Sequence, residues 1–146
     1  MRLKNILLAL AVGGVLAGCA SGAGRTVQAD DLRRTTHFMT EIVIPDMDFP
    51  TLQRNLFRHR EACGSAPRFV MQKGQTGYAS LIETPEIPES YEDVVLADLT
   101  QYPSSWRSAV RVVVQFYSYY YNAEIQERAD RMLAAVRNPG VCSEVS

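Results

Sequence analysis

Long apolar runs are missing from this sequence. The most apolar stretch, Ile6 to Leu16, has eleven residues. That is about half of the roughly 20 a helix needs to cross a bilayer core, so it is too short for a membrane span. Histidine is scarce, with His37 and His59 the only two, and they are not at paired metal-binding spacing. No G-x-S-x-G and no glycine-rich phosphate loop occurs, which removes the commonest hydrolase and nucleotide-binding signatures. No cysteine has a neighbour at metal-ligand spacing, which argues against zinc, and nothing calls for another metal or a cofactor. Excess positive charge is lacking too. Fifteen Lys and Arg face sixteen Asp and Glu, for a net charge of −1. That balance leaves no electrostatic footprint for nucleic acid. Internal repeats are also absent.

What is present begins at the N-terminus. Arg2 and Lys4 precede the apolar stretch, which exits through small residues into "LAGCASGAG". A basic start, a short apolar middle and a small-residue exit describe a secretion signal. The tetrad Leu16-Ala17-Gly18-Cys19 resembles the lipobox of bacterial lipoproteins. The resemblance covers the first nineteen residues and implies that the Cys19 thiol carries diacylglycerol, that residues 1–18 are removed, and that the new amino end is acylated. Several acyl chains hold a protein at a membrane, since each buried methylene adds about 0.8 kcal/mol and one chain anchors only marginally. Ala20, not aspartate, follows the anchor, which by the same resemblance implies sorting to the outer membrane with the domain facing the periplasm.

Assigning Cys19 to lipid leaves Cys63 and Cys142. An even pair outside the cytosol is most simply a disulfide, the alternative being two thiols buried separately. Residues 20–31, "ASGAGRTVQADD", are small and polar and are expected to form a tether, leaving 32–146 as one domain.

Within that domain the hydrophobic period alternates between two and about 3.6. In "RTTHFMTEIVIP" the period is two, with Phe38, Ile42 and Ile44 on one side and His37, Met39, Glu41 and Val43 on the other, so a strand is expected. Phe49, Leu52, Leu56, His59 and Cys63 then recur at helical spacing. Asp48 and Pro50 suit the start of this helix and Gly64 its stop. "RFVMQ" and "YASLIE" read as strands joined by a glycine-containing turn. "TPEIPESYED" reads as a surface loop, and "VVLADLT" as another strand. "WRSAVRVVVQFYSYYY" is the longest strand candidate, with Trp106, Val110, Val112, Val114 and Phe116 on one face. A last helix is marked by Asn122 as cap and Ile125, Ala129, Met132, Leu133 and Val136 as buried stripe, and "NPG" ends it.

The expected fold is therefore α+β: a mostly antiparallel sheet of four or five strands with two amphipathic helices on one face, tied together by the disulfide. This order is similar, at the level of architecture, to lipoproteins that assist outer-membrane assembly or lipid transport. The opposite sheet face is expected to carry Met39, Val43, Val70, Leu81, Val113 and Tyr117.

Catalytic candidates are few. His59 sits on the apolar helix face, and neither a nucleophile nor an acid can be paired with His37 by spacing. The tyrosine-rich stretch is the binding candidate, with Tyr117, Tyr119 and Tyr121 on one side of the strand and Tyr120 on the other. Tyrosine combines contact area with a polar tip and is enriched at interfaces; packing over the last helix is the alternative. The expected function is a non-enzymatic, outer-membrane-anchored lipoprotein that binds an envelope protein. A module binding a small molecule, lipid or peptidoglycan fragment is the second expectation.

Overall fold

The computed structural model describes residues 26–142. In chain order they form α1 (Ala29–Leu32), β1 (Phe38–Pro45), α2 (Phe49–Cys63), β2 (Arg68–Met71), β3 (Tyr78–Ile82), β4 (Leu96–Tyr102), β5 (Arg111–Tyr117) and α3 (Ala123–Arg137). The five strands make one antiparallel sheet in the order β1-β5-β4-β3-β2. The expected lipobox and Cys19 lie outside the described residues.

Both long helices begin and end where their sequences require. Asp48 accepts the Thr51 amide at 2.8 Å, Pro50 occupies the first turn, and Gly64 closes α2 in the left-handed region at φ 82°. The bond from Thr51 holds the Asp48 carboxyl below its ordinary range. Asn122 caps α3 in the same way, accepting the Ile125 amide at 2.9 Å. The two helices lie on one face of the sheet. Leu52, Leu56, Met132 and Val136 meet Leu99, Val112, Val114 and Phe116 there in a closed core. The Cys63–Cys142 disulfide, with Cα atoms 5.4 Å apart, ties the end of α2 to the segment after α3. Asn55 reinforces that seam by donating to the Val136 carbonyl at 2.8 Å.

Strand pairing alters the expected faces. Phe38 pairs with Tyr117, yet Thr40 pairs with Phe116, so one extra residue is inserted at Met39. This bulge reverses the phase of β1. Phe38 therefore leaves the side of Ile42 and Ile44 and stands edge-on to Tyr117, while Met39 packs against the main core. Leu81 also belongs to the helix-covered side with Ala79, and Ile82 takes the opposite side. With Leu81 and Ile82 both apolar, alternation alone does not choose between them.

The opposite face is partly covered by the chain's own N-terminal segment. Leu32 is 0% exposed and packs with Ile82, Tyr91, Val94 and Leu96 in a second cluster, with Val27 and Tyr117 at its margin. Burying one leucine contributes about 1.5–3 kcal/mol. Val27 donates to Ser90 Oγ at 3.3 Å, and its carbonyl accepts the Tyr91 amide at 2.8 Å. Arg33 then crosses the sheet to Asp98 with a two-pronged contact at 2.8 and 3.0 Å. Where composition suggested a tether reaching Asp31, the chain is packed onto the domain from Val27.

Candidate functional site: two aromatic surfaces at opposite ends of the sheet

The expected tyrosine ladder ends after its first member. β5 stops at Tyr117; the Ser118 amide makes one more rung, to the His37 carbonyl at 3.0 Å, and the chain then turns toward the cap of α3. Tyr119, Tyr120 and Tyr121 therefore lie in a connection and do not alternate across a sheet. Tyr117 remains on the outer face, with its hydroxyl donating to Gln115 Oε1 at 3.4 Å. Burial raises its pKa above the ordinary tyrosine value.

Freed from the ladder, the rings build a corner. His37 stacks on Tyr119 with centroids 5.0 Å apart and planes 20° from parallel. Tyr120 meets Tyr119 edge to face at 5.1 Å and donates its hydroxyl to Glu92 at 2.8 Å, a bond that holds the Tyr120 proton more tightly than usual. Tyr121 is 75% exposed, and Phe38, Tyr119 and Tyr120 are each nearly half exposed. Beneath Tyr119 and Tyr121 is a cleft of about 240 Å³, also lined by Thr36, His37 and Ser118. Ser118 is 3% exposed, and its hydroxyl has no hydrogen-bond partner among the described residues. A second cleft brings Val27, Asp31 and Arg34 against His37 and Tyr119, so the corner adjoins the start of the described chain.

The other end of the sheet carries a surface that sequence reasoning missed. Trp106 was expected on the buried face of a strand, but it is 86% exposed. The ladder between β4 and β5 breaks after Tyr102–Arg111 and resumes only at Ser105 and Ser108, which exchange backbone bonds of 2.8 and 3.2 Å. Trp106 and Arg107 are the two residues at the tip. Arg107 lies over the indole at 4.1 Å, and at the base Arg111 lies over Tyr102 at 4.7 Å. Neither arginine has a carboxylate partner among the described residues. "QYPSS" reads as a turn, but the irregular connection runs on through Ser108 to Val110, so the strand face does not begin at Trp106; Ser108, a second turn-forming residue close behind the first, was the available signal.

Between the two ends, the uncovered outer face forms a groove of about 530 Å³ with a polar floor. Ser80 donates to Asp98 at 2.9 Å beside the Arg33 clamp, while Gln115, Thr100 and Tyr78 line the rest. Asp98 and Asp30 keep Arg33 firmly protonated. The two histidines are not brought together. His59 Nδ1 lies 3.7 Å from the disulfide sulfur of Cys63, and neither ring has a carboxylate hydrogen-bond partner among the described residues. Arg128 is committed to Glu83 by contacts of 2.6 and 2.7 Å and ties α3 to the end of β3. No family model, curated protein or solved structure matches this chain.

Proposed function

We propose that the protein is a lipid-anchored accessory lipoprotein of the bacterial outer membrane, held through Cys19 with its domain in the periplasm. It acts by binding an envelope protein and not by catalysis. The observation that carries the binding role is the Trp106 arm. A tryptophan at the tip of a two-residue turn, 86% exposed, takes no part in the buried core. Tryptophan, tyrosine and arginine are the residue types that dominate binding energy at protein interfaces, and here all three stand together on one hairpin end closed by the Ser105–Ser108 bridge. The arm lies at the end of the sheet away from Val27, the first described residue bonded to the domain. Tyr119, Tyr120 and Tyr121 form a separate aromatic surface at the near end, not assigned to the protein partner. The paired serines and stacked guanidiniums pre-organise the arm, which lowers the ordering cost of association.

The test is photo-crosslinking in the source bacterium, with p-benzoylphenylalanine replacing Trp106 and, as control, Gln53. The expected result is one identified protein adduct from position 106, lost when Arg107→Glu is added and missing from position 53. Equal labelling from both positions refutes the proposal.

A second reading, a module binding a small molecule, lipid or peptidoglycan fragment, is supported by the groove on the outer face. Its polar floor and tyrosine rim suit a hydroxyl-rich ligand. Titration with a disaccharide-peptide fragment of peptidoglycan, followed by NMR shifts at Ser80, Thr100 and Gln115, tests it; unchanged spectra at millimolar fragment reject it.

A further inference from the structure

We infer that the tyrosine corner is the surface the domain turns toward its own membrane, with His37, Tyr119, Tyr120 and Tyr121 resting in the lipid headgroup layer. The inference rests on the proposed anchor at Cys19.

The argument starts from reach. Val27 follows Cys19 by eight residues. Eight residues fully extended span at most about 26–29 Å. Val27 is fixed to the domain by its bonds to Ser90 and Tyr91, and it lines the same cleft as His37 and Tyr119. The domain is therefore tied at the corner. Trp106 lies beyond the far end of the seven-residue β4, which adds about 20 Å of strand and then the arm itself. Presenting the arm to the lipid would need the link almost fully stretched, whereas presenting the corner needs no stretch.

Chemistry agrees with reach. Tyrosine is enriched where membrane meets water, because its ring suits the acyl boundary and its hydroxyl the headgroups. The corner has four partly exposed rings and one nearly buried hydroxyl, that of Ser118, without a hydrogen-bond partner among the described residues. A headgroup oxygen or ammonium entering the cleft would satisfy it. Charge adds no pull, since Asp31 and Arg34 pair at 3.2 Å and Glu92 takes the Tyr120 proton bond. The contact is accordingly apolar and dipolar, insensitive to salt, and suited to zwitterionic lipid. Attachment makes it intramolecular, at an effective concentration in the millimolar range, so a weak surface affinity is sufficient.

The experiment uses the chain from Cys19 onward, with the Cys63–Cys142 disulfide intact. Its Cys19 thiol is coupled to a maleimide-headgroup lipid in phosphatidylcholine nanodiscs. Headgroup-spin-labelled lipid is then added, and NMR broadening is read at each amide. The expected result is at least a twofold intensity loss at residues 37–38 and 119–121. The Trp106 indole should keep its signal, and its fluorescence should resist quenching by brominated lipid. In Tyr119→Ser/Tyr121→Ser, two exposed positions whose change spares the core, the contrast between the ends should fall by at least half, the remainder being what the short link alone imposes. Uniform broadening, quenching of Trp106, or an unchanged contrast in the double variant would overturn the inference. Because the anchor is installed chemically, such a failure leaves native lipidation standing. Failure of native lipidation would appear separately, as an unmodified Cys19 in the mass of protein purified from membranes.

Discussion

Replacing Leu32 by alanine tests whether the N-terminal segment belongs to the folded domain. Leu32 is 0% exposed among Ile82, Tyr91, Val94 and Leu96, with none of its surface left to solvent. Three carbons are removed, worth about 2.4 kcal/mol of transfer at about 0.8 kcal/mol each. Incomplete collapse of the site adds a cavity term, and buried Leu→Ala changes span about 2–5 kcal/mol in all. The cluster is small, and the Val27 bonds to Ser90 and Tyr91 and the Arg33–Asp98 contact remain in the variant, which places the expected loss in the lower half of that range, near 3 kcal/mol. With a urea slope of about 1.5 kcal/mol/M, the unfolding midpoint should fall by roughly 2 M. Far-UV circular dichroism is the suitable signal, because the 86%-exposed Trp106 starts in a water-like environment and its emission barely reports unfolding. Val141→Ala, at an exposed position, is the control and should leave the midpoint in place. A fall of less than about 0.5 M for Leu32→Ala would mean that the segment is not docked on the sheet. The reach argument linking Val27 to the tyrosine corner would then fail as well.

Two further outcomes follow from the same packing. The disulfide closes a loop with a sequence separation of 79, so the chain-entropy relation assigns it about 4–5 kcal/mol. Cys63→Ser/Cys142→Ser should therefore lower the melting temperature by about 20 °C, and a drop under about 5 °C would show that the helix seam holds without it. Burial raises the pKa of Tyr91 and Tyr117 above the usual tyrosine value of 10.0. The fold favours their neutral forms, so this contribution is complete below about pH 10 and is lost as pH rises through the higher folded-state values. Denaturation midpoints should decline as pH rises above about 10, and Tyr91→Phe should flatten that decline; an identical slope in the variant would contradict the assignment.

The sequence made the helices legible because their determinants are local. Asp48 with Pro50 and Gly64, and Asn122 with the stripe from Ile125 to Val136, are decided within a few residues of chain, and the structure keeps every one of these caps. The disulfide was legible by counting. What local reasoning missed depends on pairing with distant strands. The bulge at Met39 exists because β1 must match β5, and no feature of "HFMTE" announces it. The stretch up to Asp31 is polar and reads as a tether, yet Leu32 at its border buries itself against Ile82 and Leu96, and Val27 and Arg33 bond the segment to the domain on either side.

The two aromatic surfaces share one further cause. Alternation was extended past both ends of β5, upstream to Trp106 and downstream to Tyr121, whereas the strand spans only Arg111–Tyr117. A residue that continues a period without a partner strand is not placed by that period. Trp106 and Tyr121 are thus released from the sheet for the same reason, the end of the ladder, and each becomes one of the most exposed large apolar residues described. The limits of pairing on β5 therefore place one aromatic surface beside Val27 and the other at the far end of the sheet. A strand longer by five residues upstream or four downstream would have carried Trp106 or Tyr121 into the pleat and removed that surface, so the polarity of the described domain is set by where β5 begins and ends.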